Sequence, residues 1–413
     1  MITAPTWVSG PVRNVERVLA RRAPTRVMVA VPRTLGFLGE TVIHRITDPP
    51  PGMPASTPSP GLLAQVAMDE TLLALVMGPN RFPRRADYER VGAELAHARL
   101  LFETEGWIDD PASYHRRPPD LLDPAMASGW AVGVRYRRLL FPSGFLPRDA
   151  EPGHDRWAGY EANRTAVATV LEHPGPPRPW VIAIHGLAMG YPSADFGGLD
   201  AMRLHTELGL NVVMPVLPLH GPRRITRISG EAMLSFDLVD TLHALTQGVW
   251  DVRRILGWVR SRGAPSVALY GVSLGAYLAA LLVGLEEVDA VVVGVPVIDF
   301  PALFAHHAPH TIRLRGMEHE ILGETADAVF RVVSPLSFRP QTPKEARAIF
   351  AGVGDRMTTP AQARQLWAHW DEPSIHWYAG NHVGYLWAGA ARRFAVDHLR
   401  TAGFSVEADS AAS

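Results

Sequence analysis

The sequence predicts an α/β protein: a mostly parallel central sheet with helices on both faces, preceded by a mainly helical N-terminal region. Three observations carry that prediction. Beyond residue 129, short apolar runs alternate with stretches of helical spacing, the pattern of a parallel sheet covered on both sides. One run, residues 267–280 (VALYGVSLGAYLAA), passes from β-formers through Gly271-Val272-Ser273-Leu274-Gly275 into a small-residue helix. The polar residues His185, Ser273, Asp355 and His382 each follow such a run, where the carboxyl ends of parallel strands place functional groups.

Taken in order, residues 1–128 read as a mainly helical region that packs on the main domain. Residues 12–22 place apolar side chains at 12, 15, 18 and 19, a helical spacing. Residues 27–46 are apolar but cut by Pro32, Arg33, Gly36, Gly39 and Glu40. They read as a helix pair packed on the main domain, with peripheral contact to a membrane surface as the alternative. A proline-rich loop over 48–61 (DPPPGMPASTPSPG) follows. Helices are expected at 62–77 and 87–105, the second with Val91, Leu95, Ala98, Leu101 and Phe102 on one face. Residues 109–124 are rich in breakers.

The main domain is expected over 129–402. Residues 130–141 and 164–172 alternate like strands, and 180–184 and 212–217 are buried-strand runs with a helix near 200–208 between them. A long helix over 238–262 leads to the 267–280 unit, and strands follow at 288–295, 346–351 and 375–378. Residues 297–342 are too long for a plain crossover and read as an inserted lid that shapes a pocket. A closing helix is expected near 386–400 and a frayed tail over 403–413.

Composition narrows the function classes. The net charge of −1 gives no electrostatic argument for nucleic acid or an anionic membrane. With no cysteine there is no disulfide, thiolate metal site or cysteine nucleophile. The N-terminus lacks a basic stretch followed by an apolar one, so no signal peptide is read there. The longest uncharged apolar run, 290–297, is the length of a strand and not of a membrane span. The expectation is a cytoplasmic protein with a small-molecule substrate and no cofactor, metal or nucleic-acid partner. The oligomeric state stays open.

The chemistry centres on Ser273. A strand, a sharp turn and a helix with glycines at 271 and 275 suit a serine held in strained backbone geometry, since only small neighbours let strand and helix close around it. A serine hydroxyl is a weak nucleophile and needs a base, for which imidazole is matched near neutral pH. A carboxylate must orient that imidazole. Asp355 in Val353-Gly354-Asp355-Arg356 and His382 in Gly380-Asn381-His382-Val383-Gly384 lie in loop-forming flanks. Asp299, after the strand at 288–295, is the competing acid. His376 falls inside a strand and reads as structural, and His220 in LPLHGPRR reads as a loop or capping residue that could line the site. His306, His307 and His310, with Glu318 and His319 nearby, lack the H-E-x-x-H spacing of a zinc helix and read as surface or lid residues. Arg223-Arg224 reads as a solvated loop.

Residues 129–402 resemble the α/β-hydrolase superfamily, through the segments VIAIHG, GVSLGA, GVGDRMT and GNHVGY. Residues 1–128 have no counterpart in that resemblance. It implies Ser273 as nucleophile, His382 as base and Asp355 as orienting acid. It also implies an oxyanion hole made by the backbone N–H groups of Leu187 and Leu274, although the chain reads HGLAMG where some members carry HGGG. The function implied is a serine hydrolase cleaving a carboxylic ester through an acyl-enzyme. A peptidase or acyltransferase of the same fold, or a non-catalytic binding protein, are the alternatives. No propeller-like repeat is present, which weighs against an oligopeptidase, and a serine at 273 weighs against members that use an aspartate there.

Overall fold

The computed structural model describes residues 34, 36–37, 51–54, 57–76 and 83–406. The helix expected over 12–22, most of the 27–46 segment with its membrane-surface alternative, and all but the start of the 403–413 tail lie outside the described residues.

Among the described residues, nine strands build one sheet. They are β1 (Ala125–Ala131), β2 (Val134–Pro142), β3 (Thr165–Leu171), β4 (Trp180–Ile184) and β5 (Asn211–Val216). The rest are β6 (Val267–Val272), β7 (Ala290–Gly294), β8 (Arg347–Gly352) and β9 (Ser374–Tyr378). The spatial order is β1-β2-β3-β5-β4-β6-β7-β8-β9. β1, β2, β3 and β5 pair antiparallel, and every pair from β5 through β9 is parallel.

The apolar runs become the central strands because both faces of the sheet are covered. In β4, residues 180, 182 and 184 enter one core, and residues 181 and 183 enter the other. The same alternation runs through β6 and β7, as the two-residue repeat of a strand requires. On the first face lie α2 (Arg85–Thr104), α3 (Leu238–Ser261) and α4 (Leu274–Leu285). On the second lie two short helices (Pro192–Gly198 and Ala201–Thr206) and α9 (Gly389–Thr401). This sheet order, with a strand–turn–helix at its centre, is the α/β-hydrolase fold.

The 297–342 insertion forms three helices, α5 (Phe300–His307), α6 (His310–Glu318) and α7 (Glu324–Phe330), followed by short 3-10 turns. α8 (Pro360–His369) then joins β8 to β9. α2 buries Tyr88, Val91, Leu95, Ala98 and Phe102, of which the larger side chains contribute about 1.5–3 kcal/mol each as an upper estimate. Its outer face reaches the insertion: Arg99 pairs with Glu324 at 2.8 Å, and the Tyr88 and His319 rings lie 5.6 Å apart. α1 (Pro60–Val76) packs Leu62 and Val66 with Phe37 against Val353.

Two sequence expectations are corrected. The strand read over 130–141 is a hairpin, because Val132-Gly133 makes a two-residue turn with φ of 44° and 84°. A positive-φ valine is an uncommon turn former, so the alternation read straight through it. β1 therefore begins at Ala125 and crosses residue 128. Arg223, read as solvated, is 1% exposed. It donates to the Val216 and Asn163 carbonyls at 2.9 and 3.0 Å and pairs with buried Asp251 at 2.9 Å. A buried guanidinium needs those partners, and Asn163 and Asp251 lie on elements distant in sequence.

Candidate active site

At the end of β6 the chain turns through Ser273, whose backbone sits at φ 56° and ψ −116°. For a residue with a side chain this conformation is strained, and it aims Oγ away from both strand and helix. The Ser273 N–H donates to the Gly294 carbonyl at 2.9 Å, and the Ser273 carbonyl accepts the Tyr277 N–H at 3.1 Å. A Cβ on Gly275 would overlap the Ile184 carbonyl oxygen, and one on Gly271 would overlap that of Gly275. Both positions therefore demand glycine.

Asp355 and His382 come from the turns that follow β8 and β9. Asp355 follows β8 and is 2% exposed. Its Oδ1 accepts the Met357 and Thr358 N–H groups at 2.8 and 2.9 Å, and its Oδ2 accepts the Thr358 hydroxyl at 2.9 Å. His382 follows β9, with Nδ1 2.8 Å from Asp355 Oδ2 and Nε2 3.0 Å from Ser273 Oγ. A carboxylate at Nδ1 holds the proton there and leaves Nε2 to accept from the serine. Asp299 is elsewhere: it caps α5, accepting the Ala302 N–H at 2.9 Å. The structure thus brings Ser273, His382 and Asp355 into one hydrogen-bonded row and leaves Asp299 out of it.

No family model matches the chain. Two proteins of Mycobacterium tuberculosis align with it over 365 residues at 36% identity, covering 86% of this chain and 86% of each relative. They are the uncharacterized protein MT2702 of strain CDC 1551 / Oshkosh and the uncharacterized protein Rv2627c of strain H37Rv. The chain belongs to their family. Among solved structures, acetyl xylan esterase 1 from a Thermoanaerobacterium species is similar at 12% identity and a TM-score of 0.48, over 71% of this chain and 93% of that one. Est1E from Butyrivibrio proteoclasticus, solved with ferulic acid bound, overlaps at 13% identity and a TM-score of 0.42, over 57% of this chain and 96% of that one. The acylaminoacyl peptidase of Pyrococcus horikoshii overlaps at 12% identity and a TM-score of 0.41, over 70% of this chain but 43% of its own. The fold assignment rests on strand order and the turn at Ser273 rather than on these overlaps.

In this family member the electrostatics of the row follow from burial and pairing. Burial alone would push the His382 imidazole down, but the Asp355 charge, the hydrogen bond to it and the Asp69 charge hold it above its ordinary value. Burial would raise Asp355, yet the His382 charge and hydrogen bond and the Thr358 donors hold it below the usual carboxylate range. Asp69, from α1, is pushed up to about 6 by burial and by the Asp355 charge, against the pull of His382 and of two backbone N–H groups.

Leu187 and Leu274 flank the serine. Leu274 is the first residue of α4, and Gly186, just before Leu187, packs so closely that a Cβ there would stand 3.3 Å from Ser273 Cβ. Neither Leu187 nor Leu274 has a backbone N–H acceptor among the described residues. His185 anchors this loop from within: its Nε2 accepts the Leu217 N–H at 3.0 Å and its Nδ1 lies 2.8 Å from the Gly186 carbonyl. Burial pushes its pKa down to about 4, so it stays neutral. His220 is buried beside it, with ring centroids 5.0 Å apart, and its Nδ1 lies 2.8 Å from the Pro218 carbonyl. His376 is half-buried and stacks on Phe394. His307 holds the Met357 carbonyl at 2.7 Å, whereas His310 lies beside Arg313 and His319 beside Tyr88. Among the described residues, no three metal-ligating side chains converge.

A cleft of about 790 Å³ opens between α2, the 219–238 segment and the insertion, with walls that include Leu219, Ala232, Phe236, Phe304, Ile312 and Leu322. Arg84, Arg90, Asp87 and Glu231 also line it. It borders the serine's surroundings through His307, which lines the cleft and holds the turn after Asp355. No helix among the described residues is long and apolar enough to cross a membrane.

Sequence reasoning missed Thr358, Gln65, Asn381 and Asp69. A signal for Asp69 was present: it continues the 62, 66, 73 face of α1, where the other three residues are buried and apolar. A carboxylate on an apolar helical face must find buried donors.

Proposed function

We propose that this protein is a serine hydrolase that cleaves a carboxylic ester through an acyl-enzyme. The observation that carries the reading is the row Asp355 Oδ2–His382–Ser273 Oγ, with contacts of 2.8 and 3.0 Å, set on a strained turn. His382 Nε2 takes the hydroxyl proton as Oγ attacks the ester carbonyl, and Asp355 stabilises the imidazolium that forms. The developing oxyanion lies against the free N–H groups of Leu187 and Leu274, which together contribute several kcal/mol of transition-state stabilisation. The intermediate collapses as Nε2–H protonates the leaving alcohol. Water, deprotonated by Nε2, then attacks the acyl-serine and releases the acid, returning the proton to Oγ.

The mostly apolar cleft between α2 and the insertion is the natural seat for the substrate's organic part, with the N-terminal region forming one wall. Small-molecule esters fit that seat. The test is covalent labelling by a fluorophosphonate, together with hydrolysis of p-nitrophenyl esters of graded acyl length. Wild-type protein should carry the label on Ser273 and turn over esters. Ser273→Ala should lose both, a fall on the order of 10⁶ in kcat, with an unchanged circular-dichroism spectrum. Labelling or turnover that survives in Ser273→Ala would sink the reading.

A further inference from the structure

Asp69 stands outside the catalytic row yet touches both turns that carry it. It lies on α1, is 0% exposed, and directs its carboxylate between the ends of β8 and β9. Oδ2 accepts two backbone donors: the N–H of His382 itself at 2.9 Å, and that of Arg356, the residue after the acid, at 3.0 Å. Oδ1 accepts the Asn381 side-chain amide at 2.9 Å. The second proton of that amide goes to the Gln65 carbonyl at 2.8 Å, and the Asn381 N–H goes to Gln65 Oε1 at 3.2 Å. One turn of α1 therefore fixes the residue after the acid, the residue before the base, and the base.

Packing alone does not account for this choice. An apolar residue at 69 would extend the Leu62–Val66 contact without burying a charge. A carboxylate there does two things that an apolar residue would not. It joins the two turns through shared acceptors, and it sets a second negative charge near the imidazole.

We propose that Asp69 is a positioning residue of the reaction: it locks the Asp355 and His382 turns in register and favours the protonated form of His382 that attack on the substrate creates. The inference rests on the serine-hydrolase reading above. Among the described residues, the titratable or charged groups facing Asp69 are Asp355 and Arg356 after β8, His382 and Tyr378 at β9, and neighbouring Glu70 on α1. Arg356 turns its guanidinium to Glu70 at 3.1 Å, so it reaches Asp69 through its backbone.

The experiment is Asp69→Asn in the full chain, read by fluorophosphonate labelling rate and p-nitrophenyl acetate hydrolysis from acid to neutral pH. Asparagine keeps the shape, removes the charge and turns one acceptor into a donor, and its oxygen can still serve the two backbone N–H groups. The expected result is a kcat roughly 10–100-fold lower with KM changed less than about twofold, as for a small misalignment of a catalytic group. The acid limb of kcat/KM should also move to lower pH, because the imidazolium has lost one negative neighbour. A purely structural role would lower stability and leave that limb where it is. A folded Asp69→Asn with wild-type kcat and an unmoved limb would overturn the inference. If Asp69→Asn does not fold, Gln65→Ala decides. It loosens the Asn381 N–H from the same helix and keeps the Asp69 charge, so kcat should fall several-fold with the limb unmoved, and a wild-type kcat would overturn the inference. Wild-type protein that neither labels nor hydrolyses would overturn both readings. A labelled wild type with unaffected variants would overturn this one alone.

Discussion

The turn that carries Ser273 and the turns that carry Asp355 and His382 are held by different means. At Ser273 the restraints are local: its own helix, the neighbouring strand at Gly294, and two glycines that let backbone meet backbone. The other two turns are held by α1, through contacts 287 residues apart for Arg356–Asp69 and 316 apart for Asn381–Gln65. Ser273 is therefore set once α4, β4 and β7 pack around the end of β6. Alignment of the acid and base waits on a segment that docks from outside the sheet.

Two substitutions probe the two sides of that contrast. Asp355→Asn should lower kcat on the order of 10⁴, because an amide facing His382 Nδ1 forces the proton onto Nε2, away from the role the serine needs. Four donors converge on Asp355, so the side chain has no room to turn aside. A loss of only a few-fold, measured with p-nitrophenyl acetate, would show that the row works without its acid. Gly275→Ala tests the serine's side. The added methyl meets the Ile184 carbonyl, which is backbone and cannot swing away. Overpacking of this kind costs about 1–3 kcal/mol in urea unfolding and should slow labelling of Ser273 with it. Wild-type stability and labelling in Gly275→Ala would break the claim that close backbone approach at Gly275 holds this turn.

The pH profile sharpens the comparison from the side of the base. His382 must be neutral to accept the serine proton, and its folded-state pKa lies above the ordinary imidazole value. Activity is therefore present above that raised pKa and lost below it, falling about tenfold per pH unit in kcat/KM. The acid limb should sit above that of free imidazole. A limb below it would mean that burial outweighs the two carboxylates.

The same contrast explains what the sequence disclosed. The central strands were legible because runs such as WVIAI and AVVVG fill both cores, and the serine turn was legible because both glycines it needs stand within two residues of the serine. Asp355 could be placed because it follows a buried strand, and His382 because it stands between the last strand and the closing helix. Their clasp could not, since Asp69 and Asn381 are neighbours only after the chain has folded. Arg223 was misread for the same reason: its partners Asn163 and Asp251 lie far along the chain in both directions. The β1–β2 hairpin was read as one strand because a valine opens its turn.

The smallest expected effect belongs to the acid that the row excludes. Asp299 lies after β7 and was a reasonable rival to Asp355 on chain order alone. In the fold it accepts the Ala302 N–H as the cap of α5, and its own N–H is taken by Gln362 Oε1 at 3.2 Å. A carboxylate at the first position of a helix satisfies one otherwise unpaired N–H and meets the favourable end of the helix dipole. Asp299→Ala should therefore cost about 1 kcal/mol in urea unfolding, the usual worth of an N-cap. Because α5 begins the insertion that walls the cleft, KM for longer acyl chains can shift, but kcat for p-nitrophenyl acetate should stay within about twofold of wild type, since the loss is a cap and not a transition-state contact. A thousandfold fall in kcat would move the orienting acid from the turn after β8 to the turn after β7, and the geometry around His382 would have to be rebuilt around it.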